Sequence, residues 1–173
     1  MMEFRLSGSG GQGLILAGII LAEAAIKDGK EAVQSQSYGP EARGGSSKSE
    51  VIVSDKAIYF PKVLQPDVLL AMTGEALAKY GSHLKEKGIL VVDSTYVQEI
   101  PGQFKNVYSV PITRLAKEEL GRDLFANIIA LGVLAKISRA VSFSSLEQAV
   151  LARVPKGTEE KNRKALTVGY EAV

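Results

Sequence analysis

Ser7-Gly8-Ser9-Gly10-Gly11-Gln12-Gly13 stands between a short apolar segment, Glu3-Phe4-Arg5-Leu6, and a long one, Leu14-Ile15-Leu16-Ala17-Gly18-Ile19-Ile20-Leu21-Ala22. A strand, a glycine-rich turn and a helix in that order form a unit suited to cradling phosphate. Glycine permits positive φ and close backbone approach, and a helix start offers free N–H groups at the positive end of its dipole. Gly8, Gly10 and Gly13 satisfy the G-x-G-x-x-G spacing in the setting that spacing requires. We read the loop as a ligand or partner surface; the competing reading is a merely tight β–α turn.

Outward from the loop, residues 3 to 7 read as a first strand and Gln12 to Lys27 as a helix. That helix is apolar nearly all round, with Ala17, Gly18, Ala22, Ala24 and Ala25 as small faces, so it is expected to be covered on more than one side. Asp28-Gly29 ends it, Gly29 being a natural left-handed stop. Glu31 to Gln36 alternates as a second strand, and Glu50 to Ser54 with Ala57 to Phe60 is expected to form a β-hairpin across Ser54-Asp55-Lys56. Val68 to Met72 and Gly88 to Val92 are continuous apolar strands separated by a helix ending at Tyr80, the pattern of a parallel sheet covered on both faces. Val107 to Val110 adds one short strand. Helices are then expected over Ile112 to Leu120, Asp123 to Arg139, Ser144 to Arg153 and Thr158 to Tyr170. Thr73, Asp123 and Ser145 are the expected N-caps, with Gln148 in capping-box register to Ser145, and Glu159–Arg163 and Glu160–Lys164 are spaced as i,i+4 pairs. With no internal repeat or linker, one α/β domain accounts for residues 1 to 173.

Composition excludes several classes. A net charge of +2 with scattered basic residues does not describe a general nucleic-acid binder. The absence of cysteine rules out disulfides, a thiol nucleophile and thiolate-held iron–sulfur clusters, and a single histidine, His83, leaves little for a metal site. The longest apolar run is far short of the roughly 20 residues that span a bilayer, and the first residues lack a signal-peptide layout, so a cytoplasmic, non-membrane protein is expected.

The glycine loop lacks the residue that would make it a dinucleotide site. An acid should close the second strand to hold ribose hydroxyls, yet that strand ends Val33-Gln34-Ser35-Gln36, with Glu31 at its far end. No Walker lysine follows the loop, and no G-x-S-x-G elbow is present. Thr73, Asp93 and Ser94 stand at carboxyl ends of strands, where helix caps and turns account for them. The second informative stretch is the aperiodic loop Ser37-Tyr38-Gly39-Pro40-Glu41-Ala42-Arg43-Gly44-Gly45-Ser46-Ser47. Glu41 and Arg43 share one side of an extended backbone and could pair, or Arg43 could hold a phosphate or carboxylate. Leu124 to Ile137 carries only Asn127 as a polar residue before Lys136, so Asn127 needs a hydrogen-bond partner. Two helices apolar on several faces also suggest subunit packing.

Taken together, Gly8-Ser9-Gly10-Gly11-Gln12-Gly13 with the helix ending Leu21-Ala22-Glu23-Ala24 resembles the start of the gamma subunit of 2-oxoacid:ferredoxin oxidoreductases. Gln36-Ser37-Tyr38-Gly39-Pro40-Glu41-Ala42-Arg43-Gly44-Gly45 is similar to that family's second hallmark. Pro66 to Met72 and Ala126-Asn127-Ile128 through Leu131-Gly132 also resemble family positions. The resemblance implies a single α/β domain with a mostly parallel, Rossmann-like sheet, a β-hairpin and C-terminal helices. It implies an accessory subunit of an enzyme that oxidatively decarboxylates a 2-oxo acid with coenzyme A, giving acyl-CoA, carbon dioxide and reduced ferredoxin.

In such a complex, alpha and beta subunits would hold thiamine diphosphate with magnesium, and a ferredoxin-like delta subunit would hold iron–sulfur clusters and pass electrons to ferredoxin. This chain has no Gly-Asp-Gly motif, since Lys27 precedes Asp28-Gly29, and it would bind none of these cofactors alone. The resemblance places Gly8, Gly10, Gly11, Gln12 and Gly13, with Tyr38, Gly39, Glu41, Arg43, Gly44 and Gly45, on the coenzyme A or partner side; no residue is assigned a catalytic role. Tyr-Gly-Pro-Glu followed by Arg-Gly-Gly is nearer the 2-oxoglutarate branch than the branched-chain branch, and nearer either than the pyruvate branch. The alternatives are a stand-alone Rossmann-like nucleotide-binding oxidoreductase and a phosphate-binding regulatory module.

Overall fold

The computed structural model of the chain describes residues 1–37 and 46–173. In chain order it comprises β1 (Met2–Ser9), α1 (Leu14–Lys27), β2 (Glu31–Gln36), β3 (Ser46–Ser54), β4 (Val68–Ala71) and α2 (Gly74–Tyr80). There follow β5 (Ile89–Asp93), β6 (Asn106–Val110), α3 (Ile112–Leu120), α4 (Ala126–Ser138), α5 (Phe143–Arg153) and α6 (Glu159–Glu171). The strands form one six-stranded sheet in the order β2-β3-β1-β4-β5-β6. β1, β4, β5 and β6 are mutually parallel, and only β3 runs against its neighbours, β1 and β2.

Alternation in β1 and β4 divides the core in two. Phe4, Leu6, Val68 and Leu70 face a large cluster built with α1, α4, α5 and α6, whereas Leu69 and Ala71 face a smaller one with Leu77 and Tyr80 of α2. This is the two-sided burial that continuous apolar strands require. α1 lies between the sheet and α5, which answers its apolar faces. In α4, every residue from Ala126 to Ala135 is buried by the chain's own elements, so its all-round apolarity is met without a second subunit. α4 and α6 cross with little between their backbones. A Cβ on Gly169 would lie 1.9 Å from the Ile129 carbonyl oxygen, and one on Gly132 would lie 2.3 Å from that of Leu166.

Several expectations need correction. Ala57 to Phe60 forms no strand, so the hairpin across Ser54-Asp55-Lys56 does not exist. β3 has both edges already taken, by β1 and β2, leaving a returning strand nothing to join. The antiparallel pair is β2 with β3 instead. Thr73 caps α2 as expected, its Oγ1 accepting from Ala76 N at 3.2 Å. Ser142, rather than Ser145, caps α5, accepting from Ser145 N at 3.2 Å, and Gln148 makes no capping box. Asp123 makes no side-chain cap; residues 123–125 form a 3₁₀ turn ahead of α4, with Ala126 N–H on the Asp123 carbonyl. The i,i+4 pairs of α6 give way to contacts across helices, because α6 packs beside α3 and α5. Arg163 reaches Glu147 at 3.2 Å as well as Glu160, and Lys164 reaches Glu119 at 3.3 Å.

Candidate functional site

The glycine loop leaves the sheet at a pinned point. Ser7 Oγ donates to the Leu70 carbonyl at 2.7 Å and Met72 N to the Ser7 carbonyl at 2.9 Å, tying the end of β1 to β4. Gln12 folds back over the turn, its Oε1 accepting from Ser9 N at 2.8 Å. Gly13 occupies the N-cap position of α1 at φ 72°, where a left-handed residue turns the chain into the helix. Its carbonyl accepts from Ala17 N at 3.0 Å and from Asn127 Nδ2 at 3.2 Å. Asn127, the lone polar residue near the start of α4, thus finds its partner in the loop. The sequence signalled that it needed one but not where.

The five loop residues divide by role. Gly8 is packed: a Cβ there would lie 2.2 Å from Gln12 Oε1. Gly13 is packed against Asn127, and Gln12 is spent on Ser9. Gly10 and Gly11 are exposed, and Gly11, at φ 88°, has nothing within 4 Å of where its side chain would point. Only this part of the loop offers open backbone.

That open backbone forms one wall of a cleft of about 540 Å³ at the carboxyl ends of the parallel strands. The other walls come from Thr73 after β4, Tyr96 after β5, Thr113 at the start of α3, and Asp123, Leu124 and Ala126. Crevices of this kind, outside the carboxyl ends of an α/β sheet, are where such folds hold ligands. Tyr96 and Leu124, each 50% exposed, give it an apolar rim. Asp123 is the only charged residue among its described lining, so an anion entering here would meet N–H groups and hydroxyls rather than a described cation.

Beneath the cleft, Asp93 is fully buried. Its carboxylate accepts from Thr95 N at 3.0 Å, Thr113 N at 3.1 Å and Thr113 Oγ1 at 2.5 Å, while Ser94 N donates to the Val110 carbonyl at 2.9 Å. Asp93 is therefore a cap for α3, and Thr73, which lines the cleft, a cap for α2. His83 is exposed at the end of the helical turn following α2.

Tyr38, Gly39, Glu41, Arg43, Gly44 and Gly45, and with them the Glu41–Arg43 pairing, lie outside the described residues. Their flanks are described. Ser46 is the register partner of Ser9 and Gln36 that of Ser49, so the second segment leaves and rejoins the sheet at the end where the glycine loop stands. β3 also separates β2 from β1. A dinucleotide fold needs the second strand beside the first to bring its acid to the ribose; here that place is taken, and Glu31 lies at the opposite end of β2. Among the described residues, no three His, Cys, Asp or Glu are grouped to hold a metal, and no helix is long and apolar enough to cross a membrane.

These features define an α/β domain with a mostly parallel sheet and a glycine loop opening onto a cleft at its carboxyl end. The chain belongs to the pyruvate ferredoxin/flavodoxin oxidoreductase family, which it matches over residues 3–172, and its type is that of the gamma subunit. It is 52% identical over 172 residues to the 2-oxoglutarate synthase subunit KorC of Methanocaldococcus jannaschii, covering 98% of this chain and 92% of that one. The crystal structure of a keto/oxoacid ferredoxin oxidoreductase gamma subunit from Geobacter sulfurreducens superposes with a TM-score of 0.90 at 52% identity, covering 99% of this chain and 98% of the other. The ketoisovalerate oxidoreductase subunit VorA of Methanothermobacter thermautotrophicus is 34% identical over 133 residues, which are 77% of this chain and 28% of that longer one.

Proposed function

We propose that this chain is the gamma subunit of a 2-oxoglutarate:ferredoxin oxidoreductase and that its glycine loop contributes to the coenzyme A site. The observation that carries the reading is the convergence, at one end of the sheet, of the open Gly10-Gly11 backbone and both flanks of residues 38–45. Coenzyme A suits such a cleft because its phosphates match backbone N–H groups at the start of α1, where the dipole favours negative charge. Arg43 would add the cation that the described walls lack. Tyr96 and Leu124 would receive less polar parts of the molecule. The preference for 2-oxoglutarate follows the Tyr38 to Gly45 block and the higher identity to KorC, 52%, than to VorA, 34%.

The residues here do not fit thiamine diphosphate with its magnesium ion, or an iron–sulfur cluster. The chain has no cysteine, and among the described residues no acidic or histidine cluster is placed for a metal. Those cofactors are assigned to alpha, beta and ferredoxin-like delta subunits, with ferredoxin as the acceptor and the cytoplasm as the compartment. The role of this chain is to bind and orient.

Purifying the chain from its native cells with whatever complex it forms, and assaying coenzyme A-dependent reduction of ferredoxin or a viologen dye, tests the reading. Activity with 2-oxoglutarate above other 2-oxo acids is the expected result. A chain that purifies alone and inactive overturns the subunit assignment; an active complex that prefers pyruvate overturns the branch.

A further inference from the structure

The molecule carries a second feature that the cleft does not use. Between β3 and β4, residues 55–66 hold Tyr59, Phe60 and Leu64 at 94%, 57% and 67% exposure. Eight large hydrophobic side chains are exposed among the described residues, so three within six positions is a concentration rather than scatter. Register places the ends of this segment beside the amino ends of β1 and β4, with Ser54 opposite Glu31 and Val68 opposite Phe4, away from the glycine loop.

The segment is fastened from below. Arg5 and Glu50 are register partners on β1 and β3, and Arg5 Nε donates to Glu50 Oε1 at 2.7 Å. Arg5 Nη2 donates to the Val63 carbonyl at 2.9 Å, and the guanidinium lies 5.6 Å from the centre of the Tyr80 ring. Lys48 approaches the same Glu50 Oε1 at 3.0 Å, and Val63 is itself buried. Arg5, itself paired with Glu50 within the sheet, thus fastens the segment at Val63, next to the exposed Leu64. Lys56 and Lys62 flank the aromatic pair, exposed and without a side-chain partner among the described residues.

We propose that residues 55–66 are the docking site of another subunit of the complex, one whose contacting surface is apolar and rimmed by aspartate and glutamate. The proposal rests on the reading of this chain as a subunit. Charge selects that occupant over a second copy of the chain. Asp55 is the one acid in the segment, so an isologous contact, which sets the patch against itself, would leave two exposed lysines per copy facing a single carboxylate, an excess of like charge. Docking at this end leaves the cleft open at the other.

The test uses the assembled complex and the full-length chain. Backbone hydrogen exchange over residues 55–66 is expected to slow in the complex relative to the chain alone. Replacing Tyr59→Ser, Phe60→Ser and Leu64→Ser together should weaken assembly about 100-fold, as loss of central aromatic anchors does. Thermal unfolding of the chain should hardly change, because these side chains are already exposed. Lys56→Glu with Lys62→Glu should also weaken assembly, more so at low salt. Unchanged exchange in the complex, or assembly of the triple variant as tight as that of the wild type, overturns this proposal while leaving the subunit reading intact. Concentration-dependent protection of the isolated chain overturns it in favour of a second copy. Failure of the wild type to assemble with any subunit overturns both.

Discussion

Glycine does opposite work at the two places where this molecule depends on it most. At the crossing of α4 and α6, Gly169 is closed in: a Cβ would sit 1.9 Å from the Ile129 carbonyl oxygen, and rigid backbone is what it would strike. In the loop after β1, Gly11 is open, at φ 88° with no atom within 4 Å of its missing side chain. The first glycine lets the protein approach itself; the second leaves backbone that no other part of the described chain covers. Gly13 lies between them, left-handed yet pressed against Asn127. Conformational freedom and close packing are separate demands, and one residue type meets both.

The largest effect is expected at the closed position. Gly169→Ala must push α4 and α6 apart, at a cost of about 3 kcal/mol or more. For a chain of this length each kcal/mol lowers the unfolding midpoint by roughly 2–4 °C, so calorimetry should find a large drop. An unchanged midpoint would show that the crossing has slack. Gly13→Ala comes next, because it combines a strained φ with a Cβ 2.6 Å from Asn127 Nδ2. A loss of about 2 kcal/mol is expected, together with a higher KM for coenzyme A as the helix start shifts.

Gly11→Ala sharpens the contrast. Its left-handed backbone costs about 1 kcal/mol with alanine, and no clash adds to that. If the open backbone faces coenzyme A, the KM for coenzyme A should rise at least about tenfold, with kcat for saturated complex little changed. A variant that loses stability and keeps its KM would make Gly11 a turn residue only.

The smallest effect lies at the far end of α1, where Asp28 accepts from Ser142 N at 2.6 Å and Ser142 Oγ at 2.7 Å. Partial burial alone would raise its pKa, but hydrogen bonds from Ser145 and Ser142, with Lys30 nearby, outweigh that and hold the carboxyl below its ordinary 3.8. A carboxyl depressed on folding adds stability that is fully present above the unfolded value and is lost as pH falls through the folded one. The wild type should therefore lose this small increment below about pH 3.8, and Asp28→Asn should not. Denaturant midpoints from pH 2 to 6 for the pair would check it; parallel curves would remove Asp28 from the account.

Much of this was legible before any coordinates. β2 was read at its observed bounds, Thr73 as a cap, and Asn127 as a residue in need of a partner, because alternation, side-chain chemistry and apolar context are local properties. The hairpin at Ala57 to Phe60 was misread because nothing local to those residues reveals that both edges of β3 are already paired. The pairs of α6 were misread for a similar reason. Arg163 and Lys164 had acids four positions earlier on their own helix, yet Arg163 pairs with Glu160 and with Glu147 of α5, and Lys164 with Glu119 of α3.

What the sequence by itself determined was most of the elements, the mostly parallel sheet and the family. Each of these follows from periodicity, continuous apolar strands and two glycine-bearing blocks, which are short-range features that survive without a partner. Only the tertiary structure decided which glycines are open and that Gln36 and Ser46, flanking residues 38–45, stand at the glycine-loop end of the sheet. It also decided that β3 stands between β1 and β2, and that Arg5, paired with Glu50, holds the Val63 carbonyl of the segment that exposes Tyr59, Phe60 and Leu64. Those are contacts between residues far apart in the chain, and a contact's geometry is set by everything that packs around it.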